Sequence, residues 1–254
     1  MKKILSLFVI VFFFSFQQNK NIAGVFEYEQ FITRNKGYKF VATHDLLIND
    51  NFSTYTQKFT DKKEKNYTEN NNEGVSKVTI TKQKKTEMAI VYNDFITKEM
   101  YFKESIAFKI FYIKEDQFEM IWNIHNDFKF FGDRKCKKAT TTFRGREYTA
   151  WFSSEIKLNI GPWKFNNTPG LIFEVYDNEK VLHILLKNIN TKVRSNINSW
   201  KEENIKKTIT LKQYIIAKEK EEDIVLAQFN SKLPKNSPPF IKNTEQKSIE
   251  IFQK

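Results

Sequence analysis

The residues with chemistry to offer are few and widely spaced. Nucleophilic catalysis needs a Ser or Cys beside a base that can take its proton. The chain holds one cysteine, Cys136, and three histidines, His44, His125 and His183. Lys135, Lys137 and Lys138 flank Cys136, and neighbouring cations lower a thiol's pKa, so a thiol-dependent enzyme is one reading. His183 sits inside the apolar run "VLHILL", where packing is the ordinary role of a strand histidine. The sequence has no His-x-x-x-His, no Cys-x-x-Cys and no acidic calcium loop, the spacings that metal sites use. A phosphate-binding glycine loop and a serine nucleophile elbow are missing too. The expectation is a protein that is not an enzyme and uses no metal or cofactor.

Two clusters suit binding instead. Arg144, Arg146 and Tyr148 share strand parity, with Trp151 just beyond. On one extended strand they would form a cationic, aromatic face. The second cluster is "GPWKFNNTPGLIFEV", Gly161 to Val175. A chain with only 7 Gly and 5 Pro spends Gly161, Pro162, Pro169 and Gly170 within ten residues here. Gly-Pro and Pro-Gly both mark tight turns, so two corners bracket a flap carrying Trp163 and Phe165. Those rings either fill the core or close a lid over an apolar cavity. Pro169, Gly170 and Leu171 form the second corner and complete the candidate binding set.

The elements that must position these residues read mainly as strands. Period-2 runs rich in aromatic and β-branched residues cover 25–34, 76–82, 88–95, 107–115, 118–125, 136–154, 170–177 and 180–189. Residues 49–74 begin as a possible strand and turn polar, and 62–74 reads as a solvated loop. At 208–230 the period changes. Thr210-x-x-Gln213 opens a helix as a capping box, with Leu211, Tyr214, Ile215, Ile224, Val225 and Phe229 as its apolar stripe and a break at Lys218–Asp223. Pro234, Pro238 and Pro239 end it, leaving 233–254 as a loose tail. The expected fold is α+β, mainly β: one curved antiparallel sheet with a C-terminal helix packed near it. By fold analogy only, this is the open half-barrel of lipoprotein carriers.

The first residues add an address. Lys2 and Lys3 precede an apolar run, Ile4 to Phe16, the layout of a secretory signal peptide and too short for a membrane span of about 20 residues. Residues 1–19 are expected to be cleaved, with 20–232 a single β-rich domain that has no transmembrane segment. The protein is then periplasmic or secreted. With one cysteine it has no internal disulfide, and 25 Phe supply the core instead. The formal charge of +12 is nearly all Lys, with Arg only at 34, 134, 144, 146 and 194. Phosphate recognition favours Arg forks, so no nucleic-acid partner is expected.

The stretch from Ile121 to Asp177 also resembles the signature of the GLPGLI family of exported Bacteroidota proteins. The matching residues are "IWNI", Cys136, Lys138, Ala139, Gly145, Arg146, Tyr148, Ala150, Trp151, Phe152, Glu155, Ile156, Gly161 to Phe165 and Pro169 to Ile172. Asn167-Thr168 stands where that signature usually has Gly-Leu, and Lys157 where it usually has Pro. The resemblance implies export and no cofactor, and it carries no established activity. Three readings result: a non-enzymatic binding or carrier protein for a hydrophobic ligand in the cell envelope, an envelope protein–protein interaction module, and a thiol-dependent enzyme.

Overall fold

A computed structural model describes residues 23–33, 39–58, 91–106, 109–192, 202–241 and 249–252. The expected signal peptide, the expected strand at 76–82 and the 62–74 loop lie outside these residues. Twelve strands form one sheet: β1 (Gly24–Thr33), β2 (Lys39–Ile48), β3 (Phe52–Gln57), β4 (Val91–Asp94), β5 (Glu99–Ile106), β6 (Lys109–Asp116), β7 (Asn123–Phe131), β8 (Arg134–Phe143), β9 (Arg146–Ser153), β10 (Leu171–Asp177), β11 (Leu182–Asn190) and β12 (Ile209–Thr210). Two helices follow β11: α1 (Glu202–Ile205), ahead of β12, and α2 (Leu211–Ser231), after it. The order across the sheet is β12-β6-β5-β4-β3-β2-β1-β11-β10-β9-β8-β7. All pairings are antiparallel except that of β12 with β6. The expected fold is the observed one: a mainly β chain with a single open, curled antiparallel sheet and a C-terminal helix.

That order contains two meanders. Strands β1 to β6 make one, β7 to β11 the other, and the β1–β11 pair is their seam in the sheet. Alternation decides which side chains face inward. In β1, Phe26, Tyr28 and Gln30 are buried while Glu27 and Glu29 are more open. Tyr28 lies opposite His44 and Leu186, and its hydroxyl donates to the Ile172 carbonyl at 2.9 Å. Leu46, Tyr55, Val91, Phe102, Ile113, Ala150, Phe152, Val175 and Ile184 continue this core.

The helix departs from expectation in two ways. It runs unbroken through Lys218–Asp223, because Lys and Glu are good helix formers and no Gly or Pro interrupts them. Its apolar stripe is only partly covered: Tyr214 is buried against Phe111 and Leu211, Ile215 and Val225 are half-buried, whereas Ile224 and Phe229 are exposed. The capping box forms as expected, with the Gln213 N–H donating to Thr210 Oγ1 at 3.2 Å and the Thr210 N–H to Gln213 Oε1 at 2.9 Å. The tail is held where the sequence suggests looseness. Asn230 takes the Phe240 N–H at 2.7 Å and donates to its carbonyl at 2.9 Å. Residues 249–252 pack onto the sheet, since apolar Ile249 joins the core and Glu250 meets buried cations.

Candidate functional site

The flap is a knot of rings inside the curl. Gly161 N–H donates to the Phe165 carbonyl at 2.8 Å and Phe165 N–H to the Pro162 carbonyl at 3.1 Å, closing a tight loop. Trp163 is not on an extended piece: its φ of 54° turns the chain, which is why two rings one residue apart both reach the interior. Phe165 is fully buried, 4.9 Å from the Tyr148 ring and 5.3 Å from Trp163, and Trp122 closes from the other side at 6.3 Å. The core-filling role is thus the one these rings take.

Both glycines of the flap answer to close approach. A Cβ on Gly161 would lie 2.7 Å from Ile172 Cδ1, and one on Gly170 would lie 2.1 Å from the Ser153 carbonyl oxygen. Positive φ at this corner falls instead on Asn167, at 61°. Asn suits the left-handed region better than most residues do, and its side chain donates to the Met120 carbonyl at 3.0 Å. Asn166 fastens the flap to 118–122: its amide donates to the Phe118 carbonyl at 2.8 Å, its Oδ1 accepts from Met120 N–H at 3.0 Å, and its carbonyl accepts from Trp122 Nε1 at 2.8 Å. Thr168 is buried with its hydroxyl on the Gly170 carbonyl at 2.7 Å, and Leu171 is fully buried.

The two arginines do not lie on one strand, although both turn to the inner side. Arg144 and Gly145 form the two-residue turn between β8 and β9, with φ of 49° and 72°. Positive φ at both positions is the tight hairpin geometry matched to sheet twist. Parity does not carry through such a turn. Arg146 is nearly buried, and its Nη1 meets Asp177 at 3.3 Å and Glu179 at 3.1 Å. Asp177 also accepts from the Leu182 N–H at 2.6 Å, so it ties the β10–β11 turn to β9. A polar cavity of about 220 Å³ opens beside Gly145, Arg146, Asp177 and Glu179. Tyr148 follows Arg146 inward, while Trp151 lies opposite Glu174 on the other face.

Arg144 belongs to a second, charged group on the concave side. It pairs with Glu115 and stands 3.5 Å from Glu250 through Nε. Lys164 donates to both Glu250 oxygens at 2.9 Å, and its ammonium lies 3.6 Å from the centre of the Phe102 ring. Glu104 completes the group. Burial pushes its carboxyl up to about 7, against the pull of Lys164. Burial raises Glu115 as well, opposed by Lys164 and Arg144. Lys164 and Glu250 escaped the sequence reading: a Lys between two aromatics was the one local signal, and the carboxylate comes from 86 residues away.

The outer face of β7–β11 carries its own set. Glu174 takes Lys129 Nζ at 2.5 Å and His183 Nε2 at 2.9 Å. Burial works to raise its pKa, but these two hydrogen bonds outweigh it and hold the carboxyl low. Cys136 is fully buried, and burial drives its thiol up to about 12, with Glu155 adding and Lys129 opposing. The cation that does oppose the rise is Lys129, which faces Cys136 across the strand pair, and not one of the three lysines beside it in sequence. Such a thiol is protonated at neutral pH and a poor nucleophile.

Among the described residues β7 is the end strand of the sheet, and it carries exposed apolar side chains. Ile121 just before it is 83% exposed, Phe130 64%, and Phe128 and Ile124 nearly half exposed. Phe128 and Phe130 share a face, with Lys135 Nζ 3.9 Å above the Phe128 ring. Among the described residues no helix is long and apolar enough to cross a membrane, and no three His, Cys, Asp or Glu side chains gather where they would hold a metal.

No family model and no curated protein matches the chain. Two solved structures of a protein named PNGF-II, in C2 and P21 crystals, are similar over 78% of this chain, with TM-scores of 0.46 and 0.47 and identities of 10% and 9%. The chain spans about a third of the length of PNGF-II, 33% and 34% in the two structures. At that distance the likeness carries nothing about the chemistry of this chain.

Proposed function

We propose that this is an exported, non-catalytic interaction protein of the cell envelope, and that it receives an extended segment of a protein partner along β7. The observation that carries this reading is the edge of β7, which among the described residues pairs only with β8, together with the exposed Ile121, Ile124, Phe128 and Phe130 on and just before it. An unpaired strand offers a row of N–H and C=O groups, and the alternate side chains give the added strand its specificity. Lys135 and Lys137 border the Phe128 ring on the same face, so the fitting partner strand turns both apolar and acidic side chains to that face. The start of the chain, with Lys2, Lys3 and the apolar run after them, supports export, as does the GLPGLI-like stretch from Ile121 to Asp177, which contains β7.

The carrier reading for a hydrophobic ligand has less behind it. It needs an apolar chamber under the flap, and that position holds Phe165 with Trp122, Tyr148 and Trp163 packed around it. The thiol-enzyme reading needs an available Cys136, and that thiol is buried and protonated.

Photo-crosslinkers placed at Phe130, and in a control at exposed Ile96, test the interaction in cells. The reading expects a discrete protein adduct from position 130 that position 96 does not give and that Ile124→Pro, which takes one N–H out of β7, abolishes. Equal yields from both positions, or none from 130, would overturn it.

A further inference from the structure

The end of the chain returns to fill the mouth of the curled sheet. Ile249 packs on the core, and Ile251 lies so close to Gly145 that a Cβ there would stand 2.8 Å from Ile251 Cβ. The Phe252 ring sits 5.3 Å from the Arg144 guanidinium. The backbone is read as a peptide ligand is read. Ile251 N–H donates to the Arg144 carbonyl at 2.9 Å, and the Tyr148 hydroxyl donates to the Ile249 carbonyl at 3.2 Å. Between those anchors the Glu250 carboxylate takes Lys164 on both oxygens.

Two further features distinguish this from ordinary packing. The Lys164 side chain has 0% exposure, and a buried ammonium requires an anion beside it. Among the described residues, the carboxylate hydrogen-bonded to it comes from the tail and not from the sheet. Moreover, Arg144 Nε is buried and makes no hydrogen bond, and its ion-pair partner at 3.5 Å is the same Glu250 carboxylate.

We infer that this mouth is a binding site for extended peptides carrying a carboxylate between apolar residues, with residues 249–252 as its tethered occupant. Tethering gives the tail a high effective concentration, so a peptide from another chain competes with it and gains when the tail is weakened. This site is separate from the β7 edge, and either assignment survives the failure of the other.

The probe is a fluorescein-labelled peptide Ser-Ile-Glu-Ile-Phe-Gln-Lys, followed by anisotropy against the full chain, its Glu250→Gln variant and a chain ending at residue 248. The shortened chain is expected to bind at least tenfold tighter than the full chain, with Glu250→Gln in between. The same peptide with Gln for Glu is expected to bind at least tenfold more weakly. Equal binding of the Glu and Gln peptides, or no saturable binding to any of the three proteins, overturns the inference. Should circular dichroism find the shortened chain unfolded, the full-length pair decides: equal affinity of wild type and Glu250→Gln overturns it.

Discussion

His44 and Glu104 pull the stability of the protein in opposite directions with pH. His44 is buried and stacked on Tyr55 at 4.7 Å, and burial lowers its pKa from 6.5 to about 4, against a contact with the Ala42 carbonyl. The folded chain therefore binds fewer protons there than the unfolded chain between pH 4 and 6.5, and stability rises across that window by about 3 kcal/mol. Glu104 is the reverse: with its carboxyl raised from 4.5 to about 7, the folded chain keeps a proton that the unfolded one has released, and stability falls as pH rises between those values. Urea denaturation at pH 5, 6 and 7 checks this. His44→Phe should lose the rising component and Glu104→Gln the falling one; profiles that both track wild type would refute the pair. Asn167 gives a steric counterpart. With φ at 61°, Asn167→Gly should cost under about 1 kcal/mol, while a β-branched Asn167→Val should cost about 2 kcal/mol or more, read as a shift in thermal midpoint.

At the level of elements, α2 depends on its first turn because so little of it is buried. Only Tyr214 among its residues is fully covered, so helix stability rests on propensity and capping rather than on packing. Thr210→Ala removes the side-chain half of the capping box and should cost about 1 kcal/mol, seen as a lower thermal midpoint and increased amide exchange in Leu211–Tyr214. The capping box was legible in the sequence, as were the strands whose inward and outward residues alternate cleanly. β5 was not, since Met100, Tyr101, Phe102 and Lys103 are all buried and a strand covered on both faces has no period of two. β2 hides its inward face behind the polar His44. In the flap, the density of Gly and Pro marked the corners correctly, yet the reason for Gly170 is the Ser153 backbone pressed against it, a contact between segments that no local pattern records. The pairing of Lys164 with Glu250 was hidden for the same reason.

For the molecule as a whole, the seam between β1 and β11 decides whether two meanders become one sheet. On the concave side the charged group also spans both, with Glu104 and Glu115 from the first meander facing Arg144 and Lys164 from the second. Glu29 pairs with Leu185 on one side and Thr43 on the other, so Glu29→Pro breaks the ladder at the seam. A single cooperative unfolding transition, followed by tryptophan fluorescence, should then split in two or disappear; an unchanged transition would mean the halves hold together without the seam. The same seam sets a schedule. In chain order β1 is followed closely by β2, its partner on one side, but its other edge waits for Leu182–Asn190. At synthesis rates of ~5–20 residues per second that wait lasts on the order of 10–30 s. Throughout it the newborn chain displays an open strand edge, which gives any chaperone that recognises such edges its opportunity to bind.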